Sequence, residues 1–453
     1  MTVGAPDTAG RTDALLRRLV RREAATALNK VLARMRIEDL AAAIEHLTWD
    51  EQRRMFRLIS DQERAAQLLA FLPPESVRQV TAGLTSVQVA DLIDRLEPDD
   101  ATDVVGDLPG EIRELVLAEM DDDATGEEVK ELLEYPPDSA GGIMHPNVFT
   151  VRDDATCGQA IAQLQSNPEE HEVVYYVFVV DPAERLVGVT SLRSLLSNSP
   201  KTPIVQVMSR TVITVSPLTD QEEVARYVAR YDLLAIPVVA SNRQILGVVT
   251  VDDVIDVLRE EAAEDMLLMA GVNAEPDRSL LRQARSRAGW LVATLCGGLV
   301  ASEVVSTYSG TLQAVAALAG FIPVITGMGG NVGIQSATLS VRGLALGRVL
   351  AESPFPFIWD QIRVSVLLGS LFAAILATFG LIRHPHDPLV GVSAGTSLFV
   401  AICLSGTFGA AMPVGLVRVG VDPAVATGPF VTTLIDVLSI LVYFNIARLL
   451  LGL

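Results

Sequence analysis

The sequence predicts a multidomain membrane protein with an α-helical superhelical N domain, a duplicated α/β unit and an all-α transmembrane domain of five helices. Three observations carry that expectation. The net charge of −20 lies entirely in residues 1–287, which hold 29 basic and 49 acidic side chains, whereas residues 288–453 are neutral and lack lysine. A short motif recurs about every twelve residues through the first third of the chain. Apolar stretches near 289–308, 312–338, 362–382, 390–414 and 428–451 match the ~20 residues needed to cross a ~30 Å hydrocarbon core.

Residues 1–20 read as a disordered tail of small residues and arginines, with no apolar h-region, so the acidic front is expected in the cytoplasm. Residues 21–135 carry the repeat: Leu47-Thr-Trp-Asp, Ile59-Ser-Asp-Gln, Leu72-Pro-Pro-Glu, Leu84-Thr-Ser-Val, Leu96-Glu-Pro-Asp, Leu108-Pro-Gly-Glu and Met120-Asp-Asp-Asp. Each pairs an apolar anchor with turn or N-cap chemistry, and a short helix follows. Short helices of this kind bury their faces only by stacking, which gives a superhelix.

Tyr135-Pro-Pro-Asp-Ser-Ala-Gly-Gly142 ends the pattern, and β-type runs begin at Val173–Val180, Ile236–Val239 and Leu246–Thr250. Helical stretches alternate with them, as in an α/β unit. The unit occurs twice: Met144-His-Pro-Asn-Val-Phe-Thr-Val151 matches Met208-Ser-Arg-Thr-Val-Ile-Thr-Val215, and Leu186–Leu196 matches Ile245–Ile255. This duplication over 136–258 resembles a tandem pair of cystathionine-β-synthase (CBS) domains, which implies a regulatory module that senses adenine nucleotides or metal ions. Residues 259–287 read as a linking helix, acidic at first and closing on Arg278, Arg282, Arg285 and Arg287. That arginine cluster marks the cytoplasmic side of the first span.

Composition excludes several classes. A chain this acidic offers no basic stripe for nucleic acid. Its three cysteines (Cys157, Cys296, Cys403) form no CxxC pair, so neither a disulfide framework nor a zinc site is expected. The three lysines make no P-loop, and no HExxH or Ser–His–Asp set stands out, so no enzyme is expected. Carboxylate-rich surfaces instead suit hard divalent cations.

In the membrane half, Pro323-Val-Ile-Thr-Gly-Met-Gly-Gly-Asn-Val-Gly-Ile-Gln335 sets a proline and four glycines in an apolar span. That composition predicts a broken helix whose free backbone groups line a permeation or binding element. Asp436 lies within the last span, with Thr432, Thr433 and Ser439 on the same helix. An intramembrane carboxylate is a functional candidate by default. Asn331 and Gln335 offer amide oxygens, and Glu303 is the other acid expected to be buried in a span.

These residues, with Arg342, Val421-Asp-Pro-Ala424 and Gly428–Asp436, resemble the MgtE family of magnesium transporters and channels over most of the chain. The resemblance implies a multi-pass homodimer in the bacterial plasma membrane whose pore aspartate, Asp436 here, holds hydrated Mg²⁺. It also implies regulatory Mg²⁺ at acids that match here Asp99, Asp103, Glu222, Asp232, Asp253, Asp256, Glu261, Glu264, Asp265 and Asp422. ATP at the CBS pair is a further ligand the resemblance raises. A gradient-coupled divalent-cation exchanger, with Glu303 as its proton or Na⁺ site, is the alternative; a membrane-tethered nucleotide sensor is a third reading.

Overall fold

The computed structural model describes residues 6–120, 124–166, 175–272, 280–345, 353–424 and 428–453. Arg278, Arg348, the end of the last repeat and the start of the Val173 run lie outside the described residues. The chain divides into two compact units, Met1–Leu258 and Arg259–Leu453.

Among the described residues, the first unit opens with ten short helices: α1 (Pro6–Arg21), α2 (Ala25–Leu32), α3 (Ile37–Glu45), α4 (Trp49–Leu58), α5 (Gln62–Ala70), α6 (Pro74–Thr81), α7 (Ser86–Ile93), α8 (Pro98–Asp107), α9 (Gly110–Glu119) and α10 (Ala124–Leu132). The repeat motif falls at the helix starts, as its chemistry requires. Thr48 and Thr85 form capping boxes with Glu51 and Gln88, Asp61 caps α5, and prolines take the first turn of α6 and α8. The apolar anchors Leu47, Ile59, Leu72, Leu96, Leu108 and Met120 join one continuous core.

Over residues 6–20 the expected disordered tail is instead helical, and residues 1–5 lie outside the described residues. Helix α1 is amphipathic and buries Leu16 and Val20 in that core, while Arg17 and Arg21 bridge to Glu51 of α4 at 3.5 and 2.7 Å. Arginine-rich composition looked unfoldable because the burying surface belongs to helices 30 residues downstream.

The α/β part holds β1 (Thr150–Arg152), α11 (Cys157–Ser166), β2 (Tyr176–Val180), β3 (Leu186–Ser191), α12 (Leu192–Ser197), α13 (Gln221–Tyr231), β4 (Ala235–Val239) and β5 (Ile245–Thr250). β1 runs parallel to β2, which pairs antiparallel with β3; β4 and β5 form the equivalent antiparallel pair. The halves exchange their leading segments. His145 bridges to Val248 on β5, and Ser209 bridges to Val189 on β3. Gly188 and Gly247 are required there: a Cβ on either would strike Met208 or Met144, whose side chains lie across the bare strand.

Helix α14 (Val251–Met269) leaves β5 and carries the chain into the second unit. The expected linker of 259–287 is thus helical to Met269, and α15 (Leu280–Thr307) already begins at Leu280.

Among the described residues, the second unit has five helices long and apolar enough to cross a membrane: within α15, over 316–345, α18 (Pro354–Arg383), α19 (Pro388–Arg418) and α20 (Pro429–Leu451). Between the first two, α16 (Ser309–Ala314) and a 3₁₀ stretch (Ala316–Phe321) lead into α17 (Ile322–Ala345). The buried Tyr443 hydroxyl donates to the Leu318 carbonyl at 2.8 Å, and Asn445 donates to the Tyr308 hydroxyl at 2.9 Å, tying this connector to α20.

Candidate functional site

The glycine-rich stretch is not a broken helix. Residues 323–335 lie inside the continuous α17, and Pro323 sits in its first turn, where a missing N–H costs nothing. Irregular backbone occurs upstream, before Ile322. The glycines serve close packing instead. A Cβ on Gly333 would collide with Ile435 of α20, and one on Gly409 of α19 would collide with the Gly333 backbone. A Cβ on Gly329 would lie 2.7 Å from Ser439 Oγ and 3.3 Å from Ser405 Oγ, so three helices meet at that turn. Along α19, Ser393, Ser397, Ala401, Ser405, Gly409 and Pro413 recur every fourth residue and are all buried. Small residues at helix interfaces allow this approach.

Asp436 belongs to the same junction. Its Oδ1 lies 3.8 Å from where a Gly330 Cβ would stand, so the carboxylate rests over the bare backbone of α17. It is half-buried, between the buried Ile435 and Ser439 turns. On the neighbouring face, Gly297 of α15 accommodates Thr433. The other three expected pore residues are placed differently. Asn331 and Gln335 lie one turn apart on an exposed face of α17, one step round from the buried glycines. Glu303 is exposed, correcting the expectation of a buried acid. Among the described residues its helix packs chiefly on α20, and most of the α15 surface is exposed in one chain.

The expected regulatory acids divide between the units: Asp99, Asp103, Glu222, Asp232, Asp253 and Asp256 in the first, Glu261, Glu264, Asp265 and Asp422 in the second. Asp99 and Asp103 stand one turn apart at the start of α8. Glu222, in the first turn of α13, pairs with Arg226 at 3.8 Å. Asp232 closes α13 in the left-handed region at φ 51°, a role an aspartate fills well. Asp422 accepts from the Ala424 amide at 2.7 Å.

The structure assembles a cluster centred on a residue that sequence reasoning passed over. His145 Nδ1 lies 3.1 Å from Asp99 Oδ2 and 3.7 Å from Glu97 Oε2, and its Nε2 lies 3.3 Å from Asp253 Oδ2. Asp253 is in turn held by the Thr250 hydroxyl at 2.6 Å and amide at 3.3 Å. Burial disfavours charge on His145, but the hydrogen bonds and charges of Asp253 and Asp99 prevail and raise its pKa to about 11. Burial likewise pushes Asp253 up, yet His145 and Thr250 bring it below the usual carboxylate value. The available signal was the repeat itself, where His145 stands opposite Ser209.

Comparison with known proteins agrees with this architecture. A family described as a divalent cation transporter matches residues 322–446, the MgtE intracellular N domain matches 35–138, and CBS domains match 140–201 and 204–260. A magnesium transporter MgtE of Thermus thermophilus is 35% identical over 433 residues, covering 94% of this chain and 95% of its own. One of Bacillus subtilis is 32% identical over 450 residues, covering 91% and 98%. The soluble part of a magnesium transporter aligns at 28% identity and TM-score 0.50, covering 56% of this chain and 99% of that one. The cytosolic domain of the Mg²⁺ channel MgtE in complex with ATP aligns at 32% identity with the same score, covering 54% and 99%. The chain is a multi-pass membrane protein with its N-terminal domains in the cytoplasm, and it belongs to the MgtE family of magnesium transporters.

Proposed function

We propose that this protein is a Mg²⁺-selective channel that imports magnesium down its electrochemical gradient as a homodimer. The observation that carries the reading is Asp436, a carboxylate within a membrane helix, resting over the bare Gly330 backbone of α17. Two such carboxylates facing each other across a twofold axis would attract a divalent ion. Mg²⁺ sheds water reluctantly, so the pair would hold it through its hydration shell. Asn331 and Gln335, on an exposed face of α17, would line the same path from a surface a second protomer can cover. Entry needs no chemical fuel, since a divalent ion gains about 4.6 kcal/mol per 100 mV of inside-negative potential.

Gating follows from the acids. Mg²⁺ binding at Asp99, Asp103, Glu222, Asp232, Asp253 and Asp256 of the first unit, and at Glu261, Glu264, Asp265 and Asp422 of the second, neutralises these carboxylates and closes the pore when cytosolic Mg²⁺ is ample. ATP at the CBS pair is a second regulatory ligand in this reading, supported by the relative solved with ATP. In proteoliposomes under an inside-negative potential, the parent should take up Mg²⁺ and Asp436→Ala should not. Uptake by the parent only under a proton or Na⁺ gradient would make it an exchanger instead, and undiminished uptake by Asp436→Ala would remove Asp436 from the path.

A further inference from the structure

We infer that the arginine face of α1 is a binding site for a polyphosphate anion, a compact ligand with two or more linked phosphate groups. The acidic front of the chain is uneven in charge. Residues 1–64 hold 12 basic and 10 acidic side chains, against 17 and 39 in residues 65–287. All but one of those 12 are arginine, whose planar fork matches phosphate oxygens two at a time.

The fold gathers four of these arginines. Because α1 commits Leu16 and Val20 to the core of the helical domain, Arg17, Arg18, Arg21 and Arg22 fall on the remaining arc of the helix. With Ala14 they line an open cavity of about 340 Å³, and the small side chain of Ala14 leaves the space that the longer ones surround. One carboxylate answers this charge. Glu51 takes Arg21 at 2.7 Å and Arg17 at 3.5 Å, and it also accepts from the Thr48 amide at 3.1 Å as part of the α4 cap. Arg17 Nη2 donates to the His46 carbonyl at 2.7 Å, yet its Nε is buried without a hydrogen bond. Arg18 and Arg22 are exposed, and among the described residues the ion pairs of the cluster run only from Arg17 and Arg21.

Size and polarity select the ligand. From Arg17 to Arg22 the helix advances about 7.5 Å, enough for a few linked phosphates and too short to follow a nucleic-acid backbone. A helix that lies on an anionic membrane inserts an apolar face, and in α1 that face is already buried in protein. A compact polyanion would take Arg18, Arg22 and the unbonded Nε of Arg17, leaving Glu51 in its cap. This inference goes beyond the channel reading and does not depend on it, because binding is measured without transport.

The test titrates inorganic tripolyphosphate into the full-length protein, in non-ionic detergent and Mg²⁺-free buffer, by calorimetry. The parent should bind it, with an affinity that falls as NaCl is raised. Arg18→Gln and Arg22→Gln combined should weaken binding by about tenfold or more. Both positions are exposed and neither holds Glu51, so the double variant should keep the parent's unfolding midpoint. Arg95→Gln removes one charge from an i,i+4 pair on α7, away from the cavity lining, and should bind like the parent. Equal affinity in parent and double variant would overturn the site, as would equal losses in the double variant and Arg95→Gln, or no binding by the parent. Soluble dihexanoyl phosphatidylglycerol should bind more weakly than tripolyphosphate; tighter binding of the lipid would overturn the polyphosphate assignment in favour of a membrane contact.

Discussion

Replacing Gly409 by alanine tests whether the membrane helices are held at backbone contact. A Cβ on Gly409 would lie 3.0 and 3.1 Å from the carbonyl carbon and Cα of Gly333, and closer still to its oxygen. Carbon atoms in contact prefer about 3.5–4.0 Å, so α17 and α19 must part by roughly 0.5–1 Å. No rotamer can absorb that shift, because the opposing atoms are backbone. Over-packing of this kind costs about 1–3 kcal/mol, against a gain of up to about 1 kcal/mol in helix propensity. The net expectation is a loss of about 1–2 kcal/mol. Because α17 carries Gly330 beneath Asp436, Mg²⁺ influx should fall as well. Gly415→Ala is the internal control, on the same helix with nothing within 4 Å of its Cβ position. It should be neutral or stabilising by up to about 1 kcal/mol. Thermal unfolding in detergent and influx into proteoliposomes measure both quantities. Equal stability and equal influx of Gly409→Ala and Gly415→Ala would refute the close-packing argument.

Glu51→Gln should loosen α1 and cost about 1–2 kcal/mol, less than a fully buried pair because Arg17 and Arg21 are substantially exposed. Burial alone would raise the Glu51 pKa, but the Arg21 and Thr48 hydrogen bonds bring it below its usual value. Its contribution is therefore fully present above the unfolded pKa of about 4.5 and disappears as pH falls through the folded value. Denaturant unfolding of the parent and Glu51→Gln at stepped acidic pH should show the difference shrinking toward zero; a constant difference would count against it. Tyr443→Phe removes the hydroxyl that bonds to the Leu318 carbonyl, and thermal unfolding should register a loss of about 1–2 kcal/mol. An unchanged midpoint would mean the connector is held by packing alone.

The twelve-residue repeat was legible because it encodes local physics. Thr48, Asp61 and Thr85 satisfy amide groups within a few residues, so the sequence states where each helix begins. The glycines of α17 misled because propensity describes an isolated helix. Here Ile435 and the Gly409 backbone repay the missing side chains by filling their space, information that resides in α19 and α20. Asp436 was found because a carboxylate inside an apolar run is conspicuous anywhere, whereas the exposure of Glu303 depends on how few neighbours α15 has. His145 escaped notice because its partners lie 48 residues before it, at Glu97, and more than a hundred after it, at Asp253. Tail-like composition in α1 concealed a helix for the same reason: its arginines find Glu51 only after the superhelix has turned.

The exchange of leading segments between the CBS halves bears on how the chain is made. His145 leaves the ribosome about a hundred residues before Val248, the strand residue it must pair with, so the first half emerges with its opening segment unpartnered. During that interval Met144 and its neighbours are exposed, and another nascent copy could supply the missing strand as readily as the chain's own second half. Fidelity then rests on the delay being short compared with encounters between neighbouring polysomes. A stop placed between the halves should leave a product that aggregates or intertwines with its siblings, not a smaller working module.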